Sequence, residues 1–145
     1  MNKTSVYDCS VLELPQQPSR VGNIWFVDST IDLPFEIKRV FYIYDILSGE
    51  IRGVHAHKEC QELIIAASGN FEIEMNDGLL SRKVTLNRPG SGLLIPAGIW
   101  VTVHEFSSGA ICLVLTSEEY KEEDYIREYN SFLDFKKVHY NSTNK

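Results

Sequence analysis

His55 and His57 stand two residues apart in the segment Arg52-Gly53-Val54-His55-Ala56-His57-Lys58, and Glu62 follows five residues later. On an extended chain, residues two apart project from the same face, so both imidazoles point one way. A carboxylate that re-enters that face after a short turn then meets them, and three polar groups converge in a barrel mouth. Two histidines and one carboxylate can form a facial triad of the non-haem iron kind. Imidazoles free of metal can instead move protons near neutral pH, as an uncoordinated histidine in a cleft does. The third possibility is structural, with one or both rings hydrogen-bonded in the core or at its rim.

The elements that must carry these residues are mostly strands. Short runs rich in Val, Ile, Phe and Tyr extend over Asn23 to Val27, Glu36 to Tyr44, Glu62 to Ser68 and Asn70 to Met75. Further runs cover Lys83 to Leu86, Gly92 to Ile95, Ile99 to Phe106 and Ala110 to Thr116. Turn residues punctuate them at Ser48-Gly49, Ser68-Gly69, Asn76-Asp77-Gly78, Pro89-Gly90 and Ser108-Gly109, the pattern of a sandwich or barrel. Helical spacing occurs only near the end, at Tyr125, Ile126, Tyr129, Phe132 and Leu133, after a Thr116 and Glu119 capping box. The reading is one all-β domain over 1–145 with a short C-terminal helix and a frayed polar tail from about Tyr140 to Lys145.

Composition narrows the function classes. With 145 residues, 43% hydrophobic and 23% charged, the chain has the proportions of a globular domain able to bury a core. A net charge of −6 is the wrong sign for nucleic-acid binding, and no apolar run is long enough for a membrane span or a signal peptide. Five acids and one Lys within Glu118 to Asp124 account for much of that charge, so an anionic small ligand is compatible with the rest of the surface. Three cysteines without a CxxC pair fit a reducing cytoplasm, with Cys60 a small buried residue beside the histidines. Glu118 to Asp124 itself reads as a solvated face.

The spacing Gly49-x5-His55-x-His57-x4-Glu62-x6-Gly69, followed by Gly90-x5-Pro96-x-Gly98, resembles the two motifs of the cupin superfamily, small jelly-roll barrels. Val101 stands where metal-binding cupins place their last histidine. A closer resemblance runs through Pro34-Phe35-Glu36-Ile37-Lys38-Arg39-Val40-Phe41-Tyr42-Ile43, the Arg52 to Lys58 segment, and Asp124-Tyr125-Ile126-Arg127-Glu128-Tyr129-Asn130. These segments are similar to the WxcM-like, FdtA-type sugar 3,4-ketoisomerases, which are non-metal cupins acting on dTDP-4-keto-6-deoxyglucose.

That resemblance implies a cupin jelly roll with no metal and no cofactor, and a dTDP-linked 4-keto-6-deoxy sugar as substrate. It implies His55 and His57 as the acid–base pair, with Tyr42 as a donor to the developing enediolate. For the substrate it implies Arg52 and Arg20 at the diphosphate, Lys58 nearby, Glu62 beside the histidines, and Trp100 walling the sugar or base. A homodimer with exchanged strands is implied as well, the Asn23 to Val27 segment being the exchanged edge. Glu62, where many members carry Gln, and the apolar Val101-Thr102-Val103 depart from the family pattern. The rival readings are a metal cupin using His55, His57 and Glu62, a non-catalytic sugar-binding cupin, and a nucleotide-sugar epimerase.

Overall fold

The computed structural model describes residues 3–142, and the side chains of residues 3–137. Alternating burial builds two five-stranded antiparallel sheets. The first contains β1 (Ser10–Glu13), β4 (Arg39–Ile43), β6 (Glu62–Ser68), β9 (Ser91–Ile95) and β11 (Ile111–Thr116), in the order β1-β9-β6-β11-β4. The second contains β5 (Arg52–His57), β7 (Phe71–Asn76), β8 (Ser81–Leu86), β10 (Trp100–His104) and β12 (Tyr125–Ile126), in the order β12-β5-β10-β7-β8. A separate ribbon joins β2 (Gln16–Ser19) to β3 (Gly22–Trp25). The helix α1 (Tyr129–Ser142) closes the chain.

The period-two pattern decides which residues share the interior. Ile64 and Ala66 of β6, Ile73 and Met75 of β7, Val101 and Val103 of β10, and Cys112 and Val114 of β11 form one core with Phe71 and Leu93. The alternate residues of the first sheet, Leu63, Ile65 and Leu115, form a second layer with Leu14, covered by Trp25, Ile31, Leu33, Phe35 and Ile37. On the outside of the second sheet, Ala56, Trp100, Ile126 and Phe132 form a third cluster that seats α1. This is the cupin-like β fold with one C-terminal helix that the sequence led us to expect. No helix among the described residues is long and apolar enough to cross a membrane.

Three expectations need correction. The strand expected over Glu36 to Tyr44 enters the ladder only at Arg39, where the preceding Lys38 N–H donates to Thr116 O at 2.9 Å. The helix begins at Tyr129, because Tyr125 and Ile126 pair with His57 and Ala56 as a strand. Thr116 caps nothing; its hydroxyl turns back to Glu118 O at 2.7 Å. Backbone helix continues through Ser142, and residues 143–145 of the polar tail lie outside the described part.

Candidate active site

β5 delivers the histidines. His55 lies opposite Val101 of the core face, so His55 and His57 point inward while Ala56 between them faces α1. Gly53 takes a φ of +66°, the left-handed region that a side chain disfavours, where the ladder with β10 shifts register. Glu62 comes in from β6 in the facing sheet, on the same side as Ile64, and is buried. Its Oε1 lies 3.9 Å from His55 Nε2 and 3.4 Å from His57 Nε2. Both Nε2 atoms are buried with no hydrogen-bond partner among the described residues, and both face the Glu62 carboxylate.

The far side of His57 is fixed by a residue the sequence had hidden. His57 Nδ1–H donates to Asp124 Oδ2 at 2.9 Å. Asp124 also accepts from the backbone N–H of Glu59 at 2.7 Å and of Cys60 at 3.2 Å, so its carboxylate is held from three directions. Asp124 was expected on a solvated acidic face; instead it stops the chain beside β5 and orients an imidazole. Tyr125 follows it into the site, with its ring centroid 4.4 Å from that of His57 and 5.0 Å from that of His55.

Burial and charge drive the two histidines apart. Burial pushes His55 down to about 4 against the pull of Glu62, with His57, Arg127 and Arg39 adding to the effect. Burial also opposes a charge on His57, but the carboxylates of Glu62 and Asp124 outweigh it and raise that group above its ordinary value. Burial works against a charged Glu62 as well, yet its histidine neighbours hold it below the usual carboxylate range. The site therefore sets an imidazole whose protonation is disfavoured beside one whose protonation is favoured, an arrangement suited to general acid–base work.

Two groups of side chains have the spacing of metal ligands. His55, His57 and Glu62 converge, with ligand atoms within 4.8 Å of one another, as do His57, Cys60 and Asp124. In the second group the Asp124 oxygens are already committed to His57 Nδ1 and two backbone amides. The Cys60 thiol, raised by burial, is a poor thiolate donor. The first group offers three ligands, and the neighbouring position holds the apolar Val101.

The remaining expected residues are spread over several elements. Lys58 is exposed directly after His57, and Arg52 is exposed at the other end of β5. Arg20 sits at the turn of the β2–β3 ribbon, exposed, on an element that pairs with no other strand. Tyr42 does not reach the histidines. Arg39, Phe41 and Ile43 occupy the inward face of β4, so Tyr42 faces out, 62% exposed and beside Tyr44. Trp100 also faces out, since its neighbour Val101 takes the core face. It packs between the sheet and α1, 5.3 Å from Tyr129 and 5.7 Å from Phe132 between ring centroids. The inward donors are instead Tyr125 and Arg39, whose Nη2 lies 3.3 Å from Tyr125 Oη.

A cupin-like barrel with two inward histidines, one of them flanked by two carboxylates, belongs to the class of small barrels that carry a polar site between their sheets. The chain belongs to the family described as FdtA: WxcM-like, C-terminal, which it matches over residues 7–137. It is 37% identical over 111 residues to a TDP-4-oxo-6-deoxy-alpha-D-glucose-3,4-oxoisomerase of Aneurinibacillus thermoaerophilus, covering 77% of this chain and 80% of that one. Among solved structures, a 3,4-ketoisomerase from Helicobacter canadensis is 39% identical with a TM-score of 0.86, over 90% of this chain and 98% of that one. QdtA, a sugar 3,4-ketoisomerase from Thermoanaerobacterium thermosaccharolyticum solved with TDP, is 32% identical with a TM-score of 0.88, over 93% and 98%.

Proposed function

We propose that this chain is a sugar 3,4-ketoisomerase that moves the carbonyl of a TDP-linked 4-keto-6-deoxyglucose from C4 to C3. The observation that carries the reading is the pair of inward imidazoles that share Glu62, one whose protonation burial disfavours and one whose protonation two carboxylates favour. The hydrogen on C3 is acidic because it lies alpha to the C4 carbonyl. His55, neutral above about pH 4, takes that proton; the C–H pair becomes the C3=C4 bond, and the carbonyl pair moves onto O4, which becomes the negative oxygen of the enediolate. In the second half the O3–H proton passes to O4 by way of His57, the O–H pair forms the C3 carbonyl, and the C3=C4 pair takes back at C4 the proton held by His55. Atoms and electrons balance without any oxidant, and no metal or cofactor is required. His57, kept charged between Glu62 and Asp124, donates to the sugar oxygens.

The exposed Arg52 and Lys58 are assigned to the diphosphate, which Arg can take through two parallel hydrogen bonds. A homodimer in which the β2–β3 ribbon is exchanged completes the assignment, bringing Arg20 to the partner's mouth. The nucleotide-activated substrate places the enzyme in the cytoplasm, and the 3-keto product is suited to amination at C3 on the way to a surface polysaccharide.

The deciding experiment is NMR of TDP-4-keto-6-deoxyglucose incubated with the enzyme in deuterated water. The expected product has its carbonyl at C3 and a new C4–H or C4–D. A product that keeps the C4 carbonyl and gains deuterium at C3 or C5 would identify an epimerase and overturn the reading.

A further inference from the structure

We propose that Arg39 is a catalytic residue whose guanidinium binds the sugar oxygen that turns negative in the enediolate. The inference rests on the ketoisomerase reading and adds the group that carries the charge of its intermediate. Arg39 opens β4 on the inward face. In the ladders it lies opposite Thr116, and Thr116 in turn lies opposite Glu62, so Arg39 and Glu62 share one rung across β11. At ~4.8 Å per strand, that rung places a long side chain within reach of the histidines. Its charge accordingly acts on both His55 and Glu62.

What surrounds the guanidinium shows that it is built to receive something. Phe41 and Tyr120 lie with their rings 5.0 Å and 5.5 Å from its central carbon. Nη2 reaches Tyr125 Oη, and Nε is buried with no hydrogen-bond partner among the described residues. No carboxylate among the described residues lies within ion-pair distance of it. A cation half removed from water, cushioned by aromatic rings and left with an unsatisfied N–H, is costly unless an incoming oxygen completes it.

The position selects which oxygen. Tyr125 links Arg39 to the two imidazoles, so the guanidinium stands where the reacting carbons must lie, while the diphosphate hangs from C1 at the other side of the sugar ring. β4 supplies no phenol on its inward face, since that position is Phe41. Besides His57, the donors aimed at the enediolate are therefore the guanidinium and the Tyr125 hydroxyl that it polarises. A donor that strengthens its hold as charge develops acts on turnover rather than on ground-state binding.

The test compares wild type, Arg39→Met, Arg39→Lys and Arg39→Ala with TDP-4-keto-6-deoxyglucose as substrate and TDP alone as a binding probe. Losing one preorganised donor to an oxyanion costs about 100- to 1000-fold in turnover. We expect that loss in kcat for Arg39→Met, a smaller one for Arg39→Lys, and TDP affinity within about threefold of wild type. Millimolar guanidinium ion should restore part of the turnover to Arg39→Ala, which a merely structural arginine would not allow. If Arg39→Met is unfolded, Arg39→Lys and the rescue carry the same test. Unchanged kcat in the variants overturns the proposal, and so does weakened TDP binding with kcat retained, which would make Arg39 a diphosphate contact. A wild-type enzyme that leaves this sugar unisomerised overturns the ketoisomerase reading itself.

Discussion

His55 and His57 share a strand face and share Glu62, but only His57 has a second carboxylate, and its protonation follows from that difference. The proposed mechanism needs His55 neutral and His57 charged. The acid limb of the rate profile should therefore fall near pH 4 and the alkaline limb above the ordinary imidazole value of 6.5. Asp124→Asn keeps an acceptor for Nδ1 but removes the charge, so the alkaline limb should move to lower pH while the acid limb stays. Measuring kcat/KM from pH 4 to 9 in both proteins checks this, and an unmoved alkaline limb would leave Glu62 as the sole support of the His57 charge. Stability runs in two directions. His57, raised in the fold, contributes stability below the unfolded value that is lost as pH rises through its folded value. His55, lowered in the fold, loses stability as pH falls from 6.5 towards 4. The local part of this site was legible because His55, His57 and Glu62 lie within one strand, one turn and the start of another. Asp124 is 67 positions from His57, inside a run of acids whose commonest meaning is solvation, and no local spacing marks it.

At the scale of elements, the misread segment is the one that completes the site. Tyr125, Ile126, Tyr129, Phe132 and Leu133 have helical spacing, yet the first two form a strand against β5 and the others a helix. Both pieces pack on the same surface, since Ile126, Phe132 and Trp100 share one cluster, and a common target gives two elements the period of one. The barrel strands were easier to read because each has a buried face and a clear turn behind it, as at Asn76-Asp77-Gly78 between β7 and β8. β1 and β2 were missed because only alternate residues of β1 are even half-buried and β2 is wholly exposed. β12 has two residues and a single pairing partner, so its hold on Asp124 and Tyr125 depends on Ile126, 5% exposed. Ile126→Ala should cost about 2–5 kcal/mol, the range for emptying a buried aliphatic site. Turnover per folded molecule should fall with it, because the residues before it lose their anchor. Urea unfolding alongside kcat tests both; a destabilised protein with full turnover would show that β12 does not position the site.

At the scale of the molecule, one copy leaves its ribbon without enough support. Among the described residues β2 and β3 pair only with each other, and a two-stranded ribbon is marginal alone. Its base is secured where the Trp25 ring lies over Gly90, so close that a Cβ there would meet it at 2.5 Å. Beyond that anchor, Val21 at the turn is 97% exposed and Ile24 on β3 is 53% exposed. A second copy offering the same ribbon would cover these side chains and supply the missing edge, the self-complementary solution of a two-fold dimer. The same exchange would place the cation Arg20 beyond its own subunit, where an anionic substrate of a protein with net charge −6 gains most from it. Sedimentation at micromolar concentration should therefore give about twice the 16.6 kDa of the chain. Replacing Val21 and Ile24 together by Asp should shift the protein towards the monomer without unfolding the barrel, because neither side chain belongs to its core clusters. If the wild type sediments as a single chain at every concentration, the exchanged ribbon is wrong, and Arg20 must act within its own subunit or not at all.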